Sequence, residues 1–199
     1  MPSQLVDDCI RMDLLYRLRW NLLADLQNIE IVWGPAEEEI VIPFFDHSSA
    51  DADLGVPILS SVEVKSRECD EKFRLSYDSE PEEDGYRPPS PLIIRNEDGG
   101  SITLRQFVTE VHAYLNEHRG EVKKAQRVMA AEPWSETLLY FRRARPYETD
   151  DGNIVVYVEM MPRAADTRFR DILWAQQLNK AREYERKIQG RRFRLKNPK

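Results

Sequence analysis

The stretch from Pro91 to Leu115 constrains this fold more than any other. Leu92, Ile93 and Ile94 form a short apolar run bounded by Pro91 and by Asn96-Glu97-Asp98-Gly99-Gly100. That pattern predicts a buried or half-buried strand entering a turn. Gly99 and Gly100 take positive φ at little cost, so the chain can reverse there. Thr103 and Gln106 then fit a capping box: the threonine hydroxyl accepts from the backbone N–H three residues on, and the glutamine side chain reaches back. Leu104, Phe107, Val108, Val111 and Leu115 follow at helical spacing. They predict a helix with one apolar stripe, ending near His118-Arg119-Gly120.

Within this helix stand Thr103, the pair Phe107-Val108, the pair Val111-His112, and Leu115. In that spacing the segment resembles a family of uncharacterised fungal proteins. The resemblance covers only this helix. It implies no established activity and assigns no catalytic residue.

The other elements carry fewer signals. Leu5, Val6, Cys9 and Ile10, continued by Leu14, Leu15, Leu18, Leu22 and Leu26, read as one face of a helix over 4–27. Ile29 to Trp33 is a short β-rich run closed by Gly34-Pro35. Ile40 to Phe45 reads as a buried strand that Pro43 turns into an edge or bulge at its far end. Ile58 to Val64 and Phe73 to Tyr77 are further strand candidates. Asp78 to Pro91, rich in acids and prolines, cannot bury enough apolar surface to offset its ordering entropy and reads as a mobile loop. Glu121 to Ala131 extends the central helix or forms a second one. Thr137 to Phe141 and Ile154 to Met160 read as a hairpin with a long loop through Arg142 to Pro146. After Pro162, a helix capped by Asp166 or Thr167 runs to about Gln189, its face marked by Phe169, Ile172, Leu173, Gln176, Tyr184 and Ile188. Strand and helix do not alternate regularly, which disfavours a doubly wound sheet. The expected fold is α+β: a small, mainly antiparallel sheet covered by helices, with a long C-terminal helix. The expected organisation is a globular domain over 1–162 and a basic helix and tail over 163–199.

Charge is unevenly placed. The chain carries a net −6, yet residues 163–199 hold 12 basic and four acidic groups, a net +8, against −14 for the rest. Two isolated cysteines, Cys9 and Cys69, match neither a disulfide framework nor metal-ligand spacing. They suit a reducing intracellular compartment, cytoplasmic or nuclear. No apolar run is long enough for a membrane span, so no membrane partner is expected.

Chemistry-bearing residues are scattered. His112 borders the apolar stripe; its ordinary pKa suits a catalytic base, but a half-buried, hydrogen-bonded helix residue is the commoner role. His118 is six residues on and not on the same face, and His47 lies in a loop. Asp51-Ala52-Asp53 is a carboxylate pair of a kind common by chance. No phosphate loop, nucleophile elbow or cysteine–histidine pairing accompanies them. No catalytic, cofactor-binding or metal-ligating residue is therefore assigned, and no cofactor is expected. The leading reading is a non-enzymatic protein-interaction or regulatory module whose partner is another protein or a second copy. Arg191, Arg192, Phe193 and Arg194 of the basic tail are the expected contact residues. The alternatives are an enzyme using His112 with a loop carboxylate, and a nucleic-acid-associated protein using the tail. The tail also has a structural role open to it, docking on the acidic body.

Overall fold

A computed structural model describes residues 9–77, 86–129, 138–161 and 166–196, with the backbone alone at Tyr77, Val128, Met129 and 191–196. In chain order the elements are α1 (Met12–Leu15), β1 (Leu18–Arg19), β2 (Glu30–Trp33), β3 (Ile40–Pro43), β4 (Ser61–Ser66) and α2 (Arg67–Tyr77). There follow β5 (Leu92–Arg95), α3 (Leu104–Glu117), α4 (Arg119–Met129), β6 (Phe141–Glu148), β7 (Ile154–Met160) and α5 (Thr167–Lys196). Among the described residues the strands form two sheets, β1-β2-β3 and β5-β4-β7-β6, in which β4–β7 is the one parallel pairing. The fold is thus α+β, mainly antiparallel, with a long C-terminal helix.

The larger sheet buries one face by alternation. Val62, Val64 and Ser66 of β4 point inward with Val156, Val158 and Met160 of β7. Against them α3 lays the expected stripe: Leu104, Phe107, Val108, Val111 and Leu115 are all buried. The helix start also forms as expected, Thr103 Oγ1 accepting from the Gln106 N–H at 3.1 Å. The second half of the capping box does not form. Gln106 Nε2 donates instead to Asn96 Oδ1 at 2.9 Å and to Glu110 at 3.0 Å, tying α3 to the turn before it. Gly99 occupies that turn at φ +75°.

The expected helix over 4–27 does not form. Residues 4–8 lie outside the described residues, and from Cys9 onward only the single turn α1 is α-helical. Met12 to Leu18 are buried without a break, so there is no solvent face for a helix to present. The segment threads the core, and its backbone bonds go sideways. Arg11 N–H donates to Leu54 O, Val32 N–H to Arg17 O, Phe141 N–H to Trp20 O and Leu22 N–H to Leu139 O, all at 2.8–2.9 Å. An Asn21–Tyr140 bridge joins it to the approach of β6.

Other expectations need correction. Phe73 to Tyr77 is not a strand but the end of α2, whose start is held by Ser66 Oγ accepting from Cys69 N–H and by an Arg67–Glu71 pair one turn apart at 2.6 Å. β3 does form, and Pro43 does lie on an edge strand, but the strand is not buried: Ile40 is 53% exposed. The strand expected from Ile58 starts at Ser61. The β6–β7 hairpin has a short connection, because Arg142 to Pro146 belong to β6. Arg143 and Arg145 are held there by Glu159 across the sheet, each at 2.6 Å, and Pro146 is tolerated on an edge strand. Asp166 Oδ1 accepts from the Phe169 N–H at 3.0 Å and opens α5, which continues through Gly190. Its most buried side chains are Gln177, Leu178 and Ala181, not the expected face; Ile172 is exposed. Residues 78–85 of the expected mobile loop, and Thr137, Ala130 and Ala131, lie outside the described residues.

Candidate functional site

The histidines are held apart, each by a local structural contact. His112 Nδ1 accepts from the Trp20 indole N–H at 3.0 Å, and the two rings stack at 6.2 Å. Trp20 is fully buried, so this acceptor satisfies a donor that water cannot reach. Burial holds the His112 pKa below its ordinary value, against a smaller opposing pull from Asp25. The imidazole is therefore neutral, with Nδ1 committed as an acceptor. His47 Nδ1 accepts from Ser49 N–H at 3.1 Å, and its ring lies 4.5 Å from Trp33. His118 sits edge-on to Tyr114 at 4.8 Å. Asp51 takes the Arg105 guanidinium at 2.7 Å, and Asp53 bridges to the backbone of Thr103. Among the described residues no three histidines, cysteines or carboxylates are grouped to hold a metal. Cys9 and Cys69 are buried free thiols. Arg191, Arg192, Phe193 and Arg194 continue α5 as backbone, and their side chains lie outside the described residues.

Glu68 is a buried carboxyl with a structural explanation. One oxygen accepts from Met160 N–H at 2.6 Å and the other from Ser66 Oγ–H at 3.1 Å, fastening α2 to the end of β7. Burial pushes its pKa up to about 7, partly opposed by those hydrogen bonds. Both of its oxygens are thus satisfied.

The unsatisfied chemistry collects along α5. The second half of that helix is clamped to the body. Glu185 pairs with Arg17 at 2.9 Å and Tyr184 packs on Tyr16, while in the first half Gln177 Nε2 donates to Arg142 O. Beside the first half, a cleft of about 320 Å³ opens between the helix and the small sheet. Asp171, Trp174, Leu178 and Arg182 of α5 line it at i, i+3 and i+4 spacing, opposite Arg19 of β1 and Glu39 ahead of β3. Arg182 is bonded to Glu39 across the gap.

Trp174 is the centre of this site. The Arg19 guanidinium lies 5.0 Å from its ring and that of Arg170 5.3 Å, with Arg170 also 5.4 Å from Tyr140. Cation–π contact draws each guanidinium to the indole, but it brings two like charges to one ring. More telling, Trp174 Nε1 and Arg19 Nε are buried and have no hydrogen-bond partner. A buried donor left unmade costs roughly 1–3 kcal/mol, and such groups are few in native folds. Two of them sit on neighbouring residues at the wall of one cleft. Both groups are donors only, so the chemistry this wall offers is hydrogen-bond donation.

None of these lining residues stands out in the sequence as a site. The available signal was weak: a tryptophan on a largely polar helix, and an arginine embedded in the leucine-rich segment before Trp20. No family model, curated protein or solved structure matches the chain, so the site is read from its own geometry.

Proposed function

We propose that this chain is a non-enzymatic protein-interaction module whose partner contacts the cleft between α5 and the small sheet. The observation that carries the reading is the pair of buried, unpartnered donors, Arg19 Nε and Trp174 Nε1, on residues that line the cleft. Guanidinium and indole N–H groups keep their protons throughout the physiological range, so they bind and orient rather than transfer protons. The backbone of Arg191, Arg192, Phe193 and Arg194 follows on the same helix, starting roughly 14 Å beyond Arg182 at 1.5 Å per residue. No helix of the described residues is long and apolar enough to cross a membrane.

The test is a photo-crosslinking residue in place of Asn179, which lines the cleft and is exposed. Expressed in its native cells, the protein is expected to give one discrete protein adduct. Arg19→Ala and Trp174→Ala together should abolish that adduct while leaving the circular dichroism spectrum unchanged. A self-adduct would identify a second copy as the partner. Absence of any adduct, or an adduct indifferent to both substitutions, would overturn the proposal.

A further inference from the structure

We infer that the ligand of the cleft is a side-chain carboxylate, presented by an acidic peptide segment of the partner protein and held between the N–H groups of Arg19 and Trp174. The inference rests on the interaction reading above and adds the chemistry of what is bound.

Three properties of the cleft select a carboxylate. The unpartnered groups are two single donors, one guanidinium N–H and one indole N–H, on side chains in cation–π contact at 5.0 Å. A planar group with two acceptor oxygens satisfies one donor with each, and a charged acceptor makes the stronger bond. The charge balance points the same way. Arg182 is taken by Glu39, which leaves the Arg19 guanidinium as the cation of the lining without a carboxylate partner. One open cation matches a monoanion. A phosphate dianion would stay partly uncompensated beside Asp171, while Arg182 is already held by Glu39. Size is the third property: about 320 Å³ admits an acidic side chain with its flanking backbone, not a folded surface.

Entry needs one local movement. Both N–H groups are buried in this structure, and the Arg19 guanidinium lies 5.0 Å from the Trp174 ring. Arg19 ends β1, a two-residue edge strand, so its guanidinium can slide along the indole face and admit an oxygen. Arg stacks on aromatic faces without a fixed lateral position, which makes such sliding cheap.

The indole N–H reports the event directly. In a ¹⁵N-labelled sample of the full chain, a Glu-rich decapeptide is titrated while the indole resonances are followed. Arg19→Ala identifies the Trp174 signal by displacing it. The Trp174 N–H is expected to move downfield as it gains an acceptor. The Trp20 N–H, already bonded to His112, should stay in place and serves as the internal control. The matching Gln peptide should bind at least about tenfold more weakly, the loss of one charge-assisted contact. Arg19→Ala should abolish the response to the acidic peptide. A stationary Trp174 resonance at millimolar peptide would overturn the inference. So would tighter binding of a phosphoserine peptide, or saturation by glutarate as tight as by the peptide, which would make the ligand a phosphoryl group or a small free acid. A retained crosslink from Asn179 with no indole response would reject the carboxylate and leave the interaction module standing. Loss of both would reject the two together.

Discussion

Arg17 and Arg19 flank Leu18 on the same short segment, and the structure treats them in opposite ways. Arg17 is 6% exposed, and its nitrogens are used. Nε donates to Asp13 O at 3.2 Å, Nη1 to Val32 O at 3.3 Å and Nη2 to Glu185 at 2.9 Å, while the guanidinium lies 4.8 Å over Trp33. Arg19 meets α5 about three turns earlier, at Trp174, and there its Nε and the indole N–H go without partners. Both arginines face the same helix and stack on a tryptophan. The difference shows that cation–π contact does not distinguish a structural arginine from a binding one. Completeness of the hydrogen bonding does. Under the second half of α5 a buried charge is closed off and holds the helix. Under the first half, the same residue type is left with capacity to spare.

Three substitutions test that contrast, in falling order of effect. Arg17→Ala should be the most damaging. It strands the Asp13 and Val32 carbonyls and releases Glu185. Breaking a buried pair by removing one partner costs about 3–5 kcal/mol. Glu185 is 41% exposed and can return to water, so a loss of about 2–3 kcal/mol in urea unfolding is the expected result. If Arg17→Ala unfolds at the wild-type midpoint, the clamp is not structural and the contrast fails.

His112→Leu creates an orphan donor where none exists, by removing the acceptor of Trp20. The expected cost is roughly 1–3 kcal/mol at pH 8, where the wild-type imidazole is neutral. The pH dependence adds a second readout. The folded-state pKa of His112 lies below its unfolded value of 6.5, so the unfolded chain binds the proton more readily. His112 therefore contributes its full stability above about pH 6.5 and loses it as pH falls through the folded pKa. Denaturant midpoints measured from pH 8 down to pH 5 should show the variant catching up with the wild type. Parallel curves would mean that the indole bond does not depend on the neutral imidazole.

The smallest effect is expected for Trp174→Phe, which removes an orphan that the fold already tolerates. The ring and its guanidinium contacts stay and the unmade N–H goes, so stability should be unchanged or rise by up to about 1 kcal/mol. A loss comparable to that of His112→Leu would show that the Trp174 N–H has a partner in the folded protein, and the case for the cleft would weaken accordingly.

Part of this was legible in advance. The turn at Gly99, the cap at Thr103, the stripe of α3 and the Asp166 start of α5 all formed where the residues placed them. Each rests on contacts within one turn of chain, where local residue types decide the outcome. The same kind of reading failed for the leucine-rich N-terminal segment. Leucines at helical spacing predict a helix only if the polar positions between them reach water, and here Asp13 and Arg17 are buried too. It also failed for β6, whose arginines looked like a loop until Glu159 of β7 was found opposite them.

By itself, then, the sequence determined the α+β class, the central strand–turn–helix unit and the existence of a long final helix. Those follow from capping, turn chemistry and periodicity, which are short-range. Only the tertiary structure decided which arginine is a clamp and which keeps a donor unmade. Arg17 is closed off by Glu185, 168 residues away, and Arg19 meets Trp174, far along the same helix. Satisfaction of a buried charge depends on groups that the chain brings together only when it folds, so no local pattern around Leu18 separates its two neighbours.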